Sequence, residues 1–262
     1  MSPFEVGEKM PDISPLAVVE TGAKLAEDVR IGPFSYIGEQ AELAAGCVVD
    51  NSVTIAGKTS LGENSHVYPM AVIGAAGQGQ TDHGRCIIGE ANTIREHATV
   101  YCGKGRTTRI GNNNLIMIGC VIGAGASIAD HGIFDNCSHI GPGAKVGNYV
   151  RMSGFATVCP DKAVGDYAFV TGYASVDRDA PPYSRVQGSP IRVRGVNTTN
   201  LKRCGFEDED IRAIKGAFRE LFNGSGYMVD KDVVSRMLSD PNPCVQRLAE
   251  SLRGELAGGV GK

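Results

Sequence analysis

The sequence predicts an all-β solenoid, a parallel β-helix of hexapeptide repeats with a helical appendix after it, and three observations predict it. From Ile110 to Val176 every sixth residue is apolar, through Ile116, Ile122, Ile128, Phe134, Ile140, Val146, Met152, Val158, Val164 and Val170. The next residue is mostly small (Gly111, Gly123, Ala129, Gly141, Gly147, Ser153, Gly165), and four places on a small residue recurs (Ala126, Ser138, Ala144, Ala156, Ala168, Ala174). The rhythm stops at Ala180-Pro181-Pro182, where proline cannot donate to a ladder.

A period of six fits neither the 3.6 of a helix nor the 2 of a lone strand. It fits a coil of three short strands and three corners, with each aliphatic residue stacked on its equivalent in the next coil. Asn112, Asn136 and Asn148 are expected at corners, as residues that tolerate positive φ. The repeat does not itself fix the hand of the coil, and the usual crossover rule favours the right hand.

The repeat begins near Ile13 and runs through Val19, Leu25, Ile31, Ile37, Leu43, Val49, Ile55, Leu61, Val67 and Ile73. Two stretches interrupt it, Ala75 to Cys86 and Cys102 to Arg109, and insertions in a solenoid become loops thrown from a corner. The first contains Gln78 and ends in Asp82 and His83; the second carries Lys104 and Arg106. The β-helix is thus expected over 1–182, a basic connector over 183–205 and a helical domain over 206–262. Within the last, Ile211, Ile214, Phe218, Leu221 and Phe222 share a helical face behind the acidic turn Glu207 to Asp210. A second helix is expected from Asp230 to a stop before Pro241, and a third over Val245 to Leu256. The tail from Gly258 to Lys262 is expected to fray.

Composition narrows the function. The chain has 262 residues, 26 Lys and Arg against 29 Asp and Glu, and a net charge of -3, so no global basic field argues for nucleic acid. No apolar run is long enough to span a bilayer and no secretory leader pattern is read at Met1 to Asp12, which predicts a cytoplasmic protein. The eight cysteines show no CxxC pairing and read as buried, reduced thiols. The five histidines (His66, His83, His97, His131, His139) are first read as structural, with His66 and His139 near corners. His131 and His139 lack an obvious third partner for zinc, so no metal site is expected. Six positive residues between Arg178 and Arg203 face only Asp177 and Asp179, a surface suited to an acidic carrier protein or a nucleotide phosphate.

The segments Ala180-Pro181-Pro182-Tyr183, Gln187-Gly188, Gly195-Val196-Asn197 and Leu201 to Phe206, with Ile94-Arg95-Glu96 and Asn114 to Ile118, carry a closer resemblance. The chain resembles the acyl-[acyl-carrier-protein]–UDP-N-acetylglucosamine O-acyltransferase family of lipid A biosynthesis. The resemblance implies a left-handed coil, a homotrimer with sites in clefts between solenoids, and transfer of a 3-hydroxyacyl group from acyl carrier protein to a nucleotide sugar. It implies no cofactor beyond the carrier's 4'-phosphopantetheine thioester. It places substrate binding at Gln78, Asn197 and Arg203, and the limit on acyl-chain length at Gly172.

The family's paired histidines, the second of them the general base, fall on Val121 and Ala124, which cannot take a proton. Further polar positions of the family's cleft are altered as well, at Tyr101, Gly143, Cys159-Pro160, Gly79 and Cys204. Three functions therefore compete. An acyltransferase could use an amine acceptor, which needs less help from a base; a trimeric scaffold could bind carrier, lipid or a partner acyltransferase; an acetyl-CoA-dependent enzyme could use His83 as a relocated base. The cysteine at 159 reads as a space filler rather than a nucleophile.

Overall fold

The computed structural model describes residues 11–79, 81, 84–103, 105–222 and 230–257. Successive short strands fall in turn on three walls of eleven, nine and eight strands among the described residues, parallel within each wall apart from the last strand of the first, forming the expected left-handed β-helix. Most strands are two residues long, and the second points inward. Ile94, Ile116, Ile122, Phe134, Ile140 and Met152 are all essentially inaccessible to solvent, and burying a side chain of this size stabilises by roughly 1.5–3 kcal/mol. The hexapeptide period is this inward stack, one layer per coil.

Between walls the backbone turns through the left-handed region, one place later than expected. The positive φ belongs to Asn113 (57°), Cys137 (58°) and Tyr149 (55°), not to Asn112, Asn136 and Asn148. Asn112 and Asn148 instead use their side chains. On the corner from the third wall to the first, the N–H of Glu90 donates to Asn112 Oδ1 (2.9 Å), that of Asn112 to Asp130 Oδ1 (2.7 Å), that of Asp130 to Asn148 Oδ1 (3.2 Å) and that of Asn148 to Asp166 Oδ1 (2.7 Å). Each side chain thus satisfies a backbone donor one coil away that no strand could pair. Just inside, buried Asn92 and Asn114 repeat the device: Asn114 N–H donates to Asn92 Oδ1 (3.0 Å) and Gly132 N–H to Asn114 Oδ1 (2.7 Å).

The residues after these corner acceptors stack as rings. His131 lies on Tyr149 with centroids 4.5 Å apart, Tyr149 on Tyr167 at 5.1 Å and Tyr167 on Tyr183 at 5.9 Å. Phe206 meets Tyr167 edge-on at 4.9 Å and so carries the stack into the second core, built on Leu201, Ile211, Ile214, Phe218, Val234 and Leu248.

The expected connector has structure of its own. Ser184–Gln187 adds to the first wall beside Phe169–Val170 and turns back antiparallel as Arg192–Val196, so the sheet runs on past Pro182. Helix α1, Thr198–Arg203, follows. Helix α2, Asp208–Leu221, has the acidic first turn and buries Ile211, Ile214, Phe218 and Leu221. Helix α3, Lys231–Met237, is capped by the Asp230 carboxylate, and α4, Pro243–Ala257, opens on proline with Asn242 accepting from Cys244 N–H. The tail from Gly258 and His83 lie outside the described residues.

Two residue-level readings are corrected. Cys47, Cys86, Cys102 and Cys120 are buried, but Cys137 is exposed and Cys159, Cys204 and Cys244 are half-buried; burial raises the Cys47 thiol to about 11 and makes it inert. His66 and His139 are not at corners but begin strands, facing outward from the first and second walls. His97 and His131 occupy corners, with φ of 58° and 60°.

The corner ladder predicts the response to substitution at its middle rung. Asp130→Ala strands the Asn112 N–H and is expected to cost on the order of 1 kcal/mol, read as a lower thermal midpoint, whereas Asp130→Asn supplies the same acceptor and should sit close to wild type. Equal destabilisation by both would show that the carboxylate charge, not the acceptor, is what the corner uses.

Candidate active site

The corner from the second wall to the third is the barest of the three. Gly143 N–H donates to the Ala124 carbonyl at 3.1 Å and Asp161 N–H to that of Pro142 at 2.9 Å, so Ala124-Gly125, Pro142-Gly143 and Pro160-Asp161 form one column. Gly125, Gly143 and Asp161 hold φ of 74°, 69° and 57°. The second insertion covers this column. It folds back by an Arg106 N–H to Gly103 carbonyl bond of 3.1 Å and is stitched down by Thr108, whose hydroxyl donates to the Tyr101 carbonyl (2.6 Å) and accepts from Gly125 N–H (2.9 Å).

Arg106 then lies along the column. A Cβ on Gly125 would come within 2.9 Å of the Arg106 side chain, and one on Gly143 within 2.8 Å of its guanidinium. The guanidinium reaches Asp161 at 3.3 Å, both side chains being more than half exposed. Asp161 adopts the same left-handed turn, so what glycine supplies is space, at 125 for Arg106 and at 143 for Arg106 and the Asp161 carboxylate.

Along the second wall leading to this corner, the outward residues are Thr99, Val121, His139, Thr157 and Ser175, each in register with the next. Tyr101 stands beside them and accepts from Gln78 Nε2 at 3.4 Å, which brings Gln78 to the same wall. Cys159 is half-buried with its sulfur 3.5 Å from the Ser175 hydroxyl. Among the described residues no cluster of His, Cys, Asp and Glu is arranged to hold a metal ion.

The residues singled out in the sequence lie on three different edges. Gln78, Ala124 and Arg106 lie at the exit of the second wall. Gly172 is at its entrance, where a Cβ would come within 3.3 Å of the Gly154 carbonyl; the residues that follow these two glycines, Phe155 and Tyr173, are exposed and stack on each other. Asn197 and Arg203 sit on the far edge: Asn197 Nδ2 donates to the Tyr167 carbonyl (2.9 Å), its neighbour Asn200 does the same to Tyr149 (2.8 Å), and Arg203 ends α1 exposed. Within one chain, therefore, Asn197 and Arg203 do not share a face with Gln78. Gly79 is exposed with open space around it, and Cys204 caps α1.

Two features escaped the sequence. Asp161 is drawn in by Arg106 across 55 residues, and only the folded coil joins them. The outward place of His139 was open to arithmetic, since His139 precedes Ile140 as Val121 precedes Ile122.

Comparison with known proteins gives a consistent result. The family model described as Udp N-acetylglucosamine O-acyltransferase, Domain 2, matches residues 179–259. A protein of Saccharophagus degradans named acyl-[acyl-carrier-protein]–UDP-N-acetylglucosamine O-acyltransferase is 44% identical over 81% of this chain and 85% of its own length. One of the same name from Syntrophobacter fumaroxidans is 38% identical over 89% and 93%. Among solved structures, the UDP-N-acetylglucosamine acyltransferase of Campylobacter jejuni superposes with a TM-score of 0.87 at 25% identity, covering 92% of this chain and 96% of that one. The Francisella novicida enzyme gives 0.86 at 28%, covering 92% and 91%.

Arg106→Ala is expected to leave stability within about 0.5 kcal/mol of wild type, because the pair with Asp161 is exposed. Asn197→Ala leaves the partly buried Tyr167 carbonyl without this donor and should cost roughly 1–2 kcal/mol. Chemical denaturation of both variants checks the contrast; a destabilisation by Arg106→Ala as large as that by Asn197→Ala would make the arm part of the fold rather than of the site.

Proposed function

The chain belongs to the acyl-[acyl-carrier-protein]–UDP-N-acetylglucosamine O-acyltransferase family, and from that premise we propose that it moves a 3-hydroxyacyl group from acyl carrier protein to a UDP-N-acetylglucosamine-type sugar in lipid A biosynthesis. In the step, the acceptor's nucleophilic atom bonds to the acyl carbon and the carbon–sulfur bond breaks. The acceptor's proton ends on the departing pantetheine thiol.

The observation that carries the reading is the distribution of the site over three edges of the prism. Gly172 and the Gln78–Arg106 region flank one wall, and Asn197 and Arg203 lie on the far edge. These groups can line one cleft only when the second wall of one protomer faces the far edge of another. A homotrimer of parallel prisms closes such a cleft three times over. The donor side fits as well: Arg185, Arg192, Arg194, Lys202 and Arg203 are exposed on the hairpin and α1, a cationic surface that would speed encounter with an acidic carrier protein. We place the reaction in the cytoplasm, and the relatives do not favour the scaffold reading.

The bare corner bears on the acceptor. With Ala124 and Gly143 offering no proton acceptor, an amine, nucleophilic once deprotonated, demands less of the site than a hydroxyl; general-base help is typically a factor of about 10²–10⁴.

The test is mass-spectrometric turnover with 3-hydroxyacyl carrier proteins of several chain lengths, offered UDP-N-acetylglucosamine and its 3-amino analogue in parallel. Acyl transfer to the sugar is expected, faster to the amine, with chains longer than a side chain at 172 would allow. Absence of product from both acceptors, with an active family member beside it, overturns the proposal.

A further inference from the structure

The second wall carries a proton acceptor that the family pattern does not predict. We propose that His139 takes the proton from the attacking group during acyl transfer, an assignment that rests on the function proposed above.

The argument begins with register. His139 is the direct neighbour of Val121 in the next coil, both outward on the second wall, and adjacent strands lie about 4.8 Å apart. An imidazole at 139 therefore stands one strand spacing from the place of a side chain at 121, and an imidazole on a flexible Cβ spans such a distance. Val121 is short and apolar, so it neither fills that space nor competes for a proton.

The other candidates are engaged or misplaced. His66 is on the first wall, 3.0 Å from the Asp50 carboxylate and stacked on Tyr68. His131 is at the corner from the third wall, stacked on Tyr149, and His97 is at a corner on the entrance side of the second wall. Asp161 is held by Arg106. Tyr101 takes the Gln78 amide, and the Cys159 thiol shares a contact with Ser175. His139 is exposed, and among the described residues its ring makes no hydrogen bond or ion pair. A base must be open to substrate and near the proton it removes; of the nitrogen bases on the second wall among the described residues, His139 meets the first requirement.

Its electrostatic surroundings are simple. The flanking strands present Val121 and Thr157, both uncharged. Among the described residues, the titratable or charged groups on this part of the wall and its two corners include Tyr101, Asp135, Cys137, Cys159 and the Arg106–Asp161 pair.

The test compares wild type with His139→Asn over a range of pH, using carrier-protein donor and both sugar acceptors. The expected result is a fall in kcat of about 10²-fold or more with KM little changed, loss of the acidic limb of the profile, partial recovery on adding free imidazole, and an unchanged thermal midpoint. In the intact protein, the His139 ring resonances should shift when UDP-N-acetylglucosamine is added, and those of His66 should not. Wild-type turnover undiminished in His139→Asn overturns the assignment and leaves the transferase reading standing. A wild type that yields no product overturns both.

Discussion

Every coil of this molecule must turn three corners, and at each the backbone leaves N–H groups that neighbouring strands cannot reach. Satisfying them is the constraint on which the rest depends. At the corner between the third and first walls, Asn112, Asp130, Asn148 and Asp166 lend an oxygen to the coil next to their own. The bonds lock each coil in register with its neighbour. The apolar stack then needs only the right residue at every sixth place, because its alignment is set from outside. The aromatic column beside this ladder extends the order into the helical domain, where Asn197 and Asn200 hold carbonyls of the same corner.

Much of this was legible. The inward stack from Ile110 to Val176 is a count of six, and the helix from Asp208 shows its face and its charged first turn. The corners were placed one residue early because a left-handed turn is expected of asparagine, whereas the coil gives that conformation to Tyr149 and Cys137 and uses Asn112 and Asn148 as acceptors. Packing against an identical turn one coil away overrides the local preference. The connector was read only by its charge, and its charges conceal a hairpin. Arg185, Arg192 and Arg194 face outward while Val186 and Ile191 bury, an alternation too short to stand out.

The site was legible in its losses more than in its gains. That Val121 and Ala124 lack protonatable side chains follows from the sequence alone. That Arg106 fills the space above Gly125 and Gly143 does not, since it depends on a loop closing over a column and on Asp161 rising to meet it. The glycines are therefore informative in two ways: they mark where a side chain is absent and where another has come to lie.

The strict register has a consequence for how such a chain diverges. A residue moved eighteen places along the sequence moves by one rung in space and keeps its direction, its neighbours' chemistry and its wall. Functional groups can thus migrate along the prism in small, discrete steps, with no change to the corners or the inward stack, and the prism offers many near-equivalent positions for one side chain. Comparison column by column registers such a step as a deletion of one group and an unrelated gain elsewhere. Comparison by wall and rung would count it as a single displacement of a few ångströms.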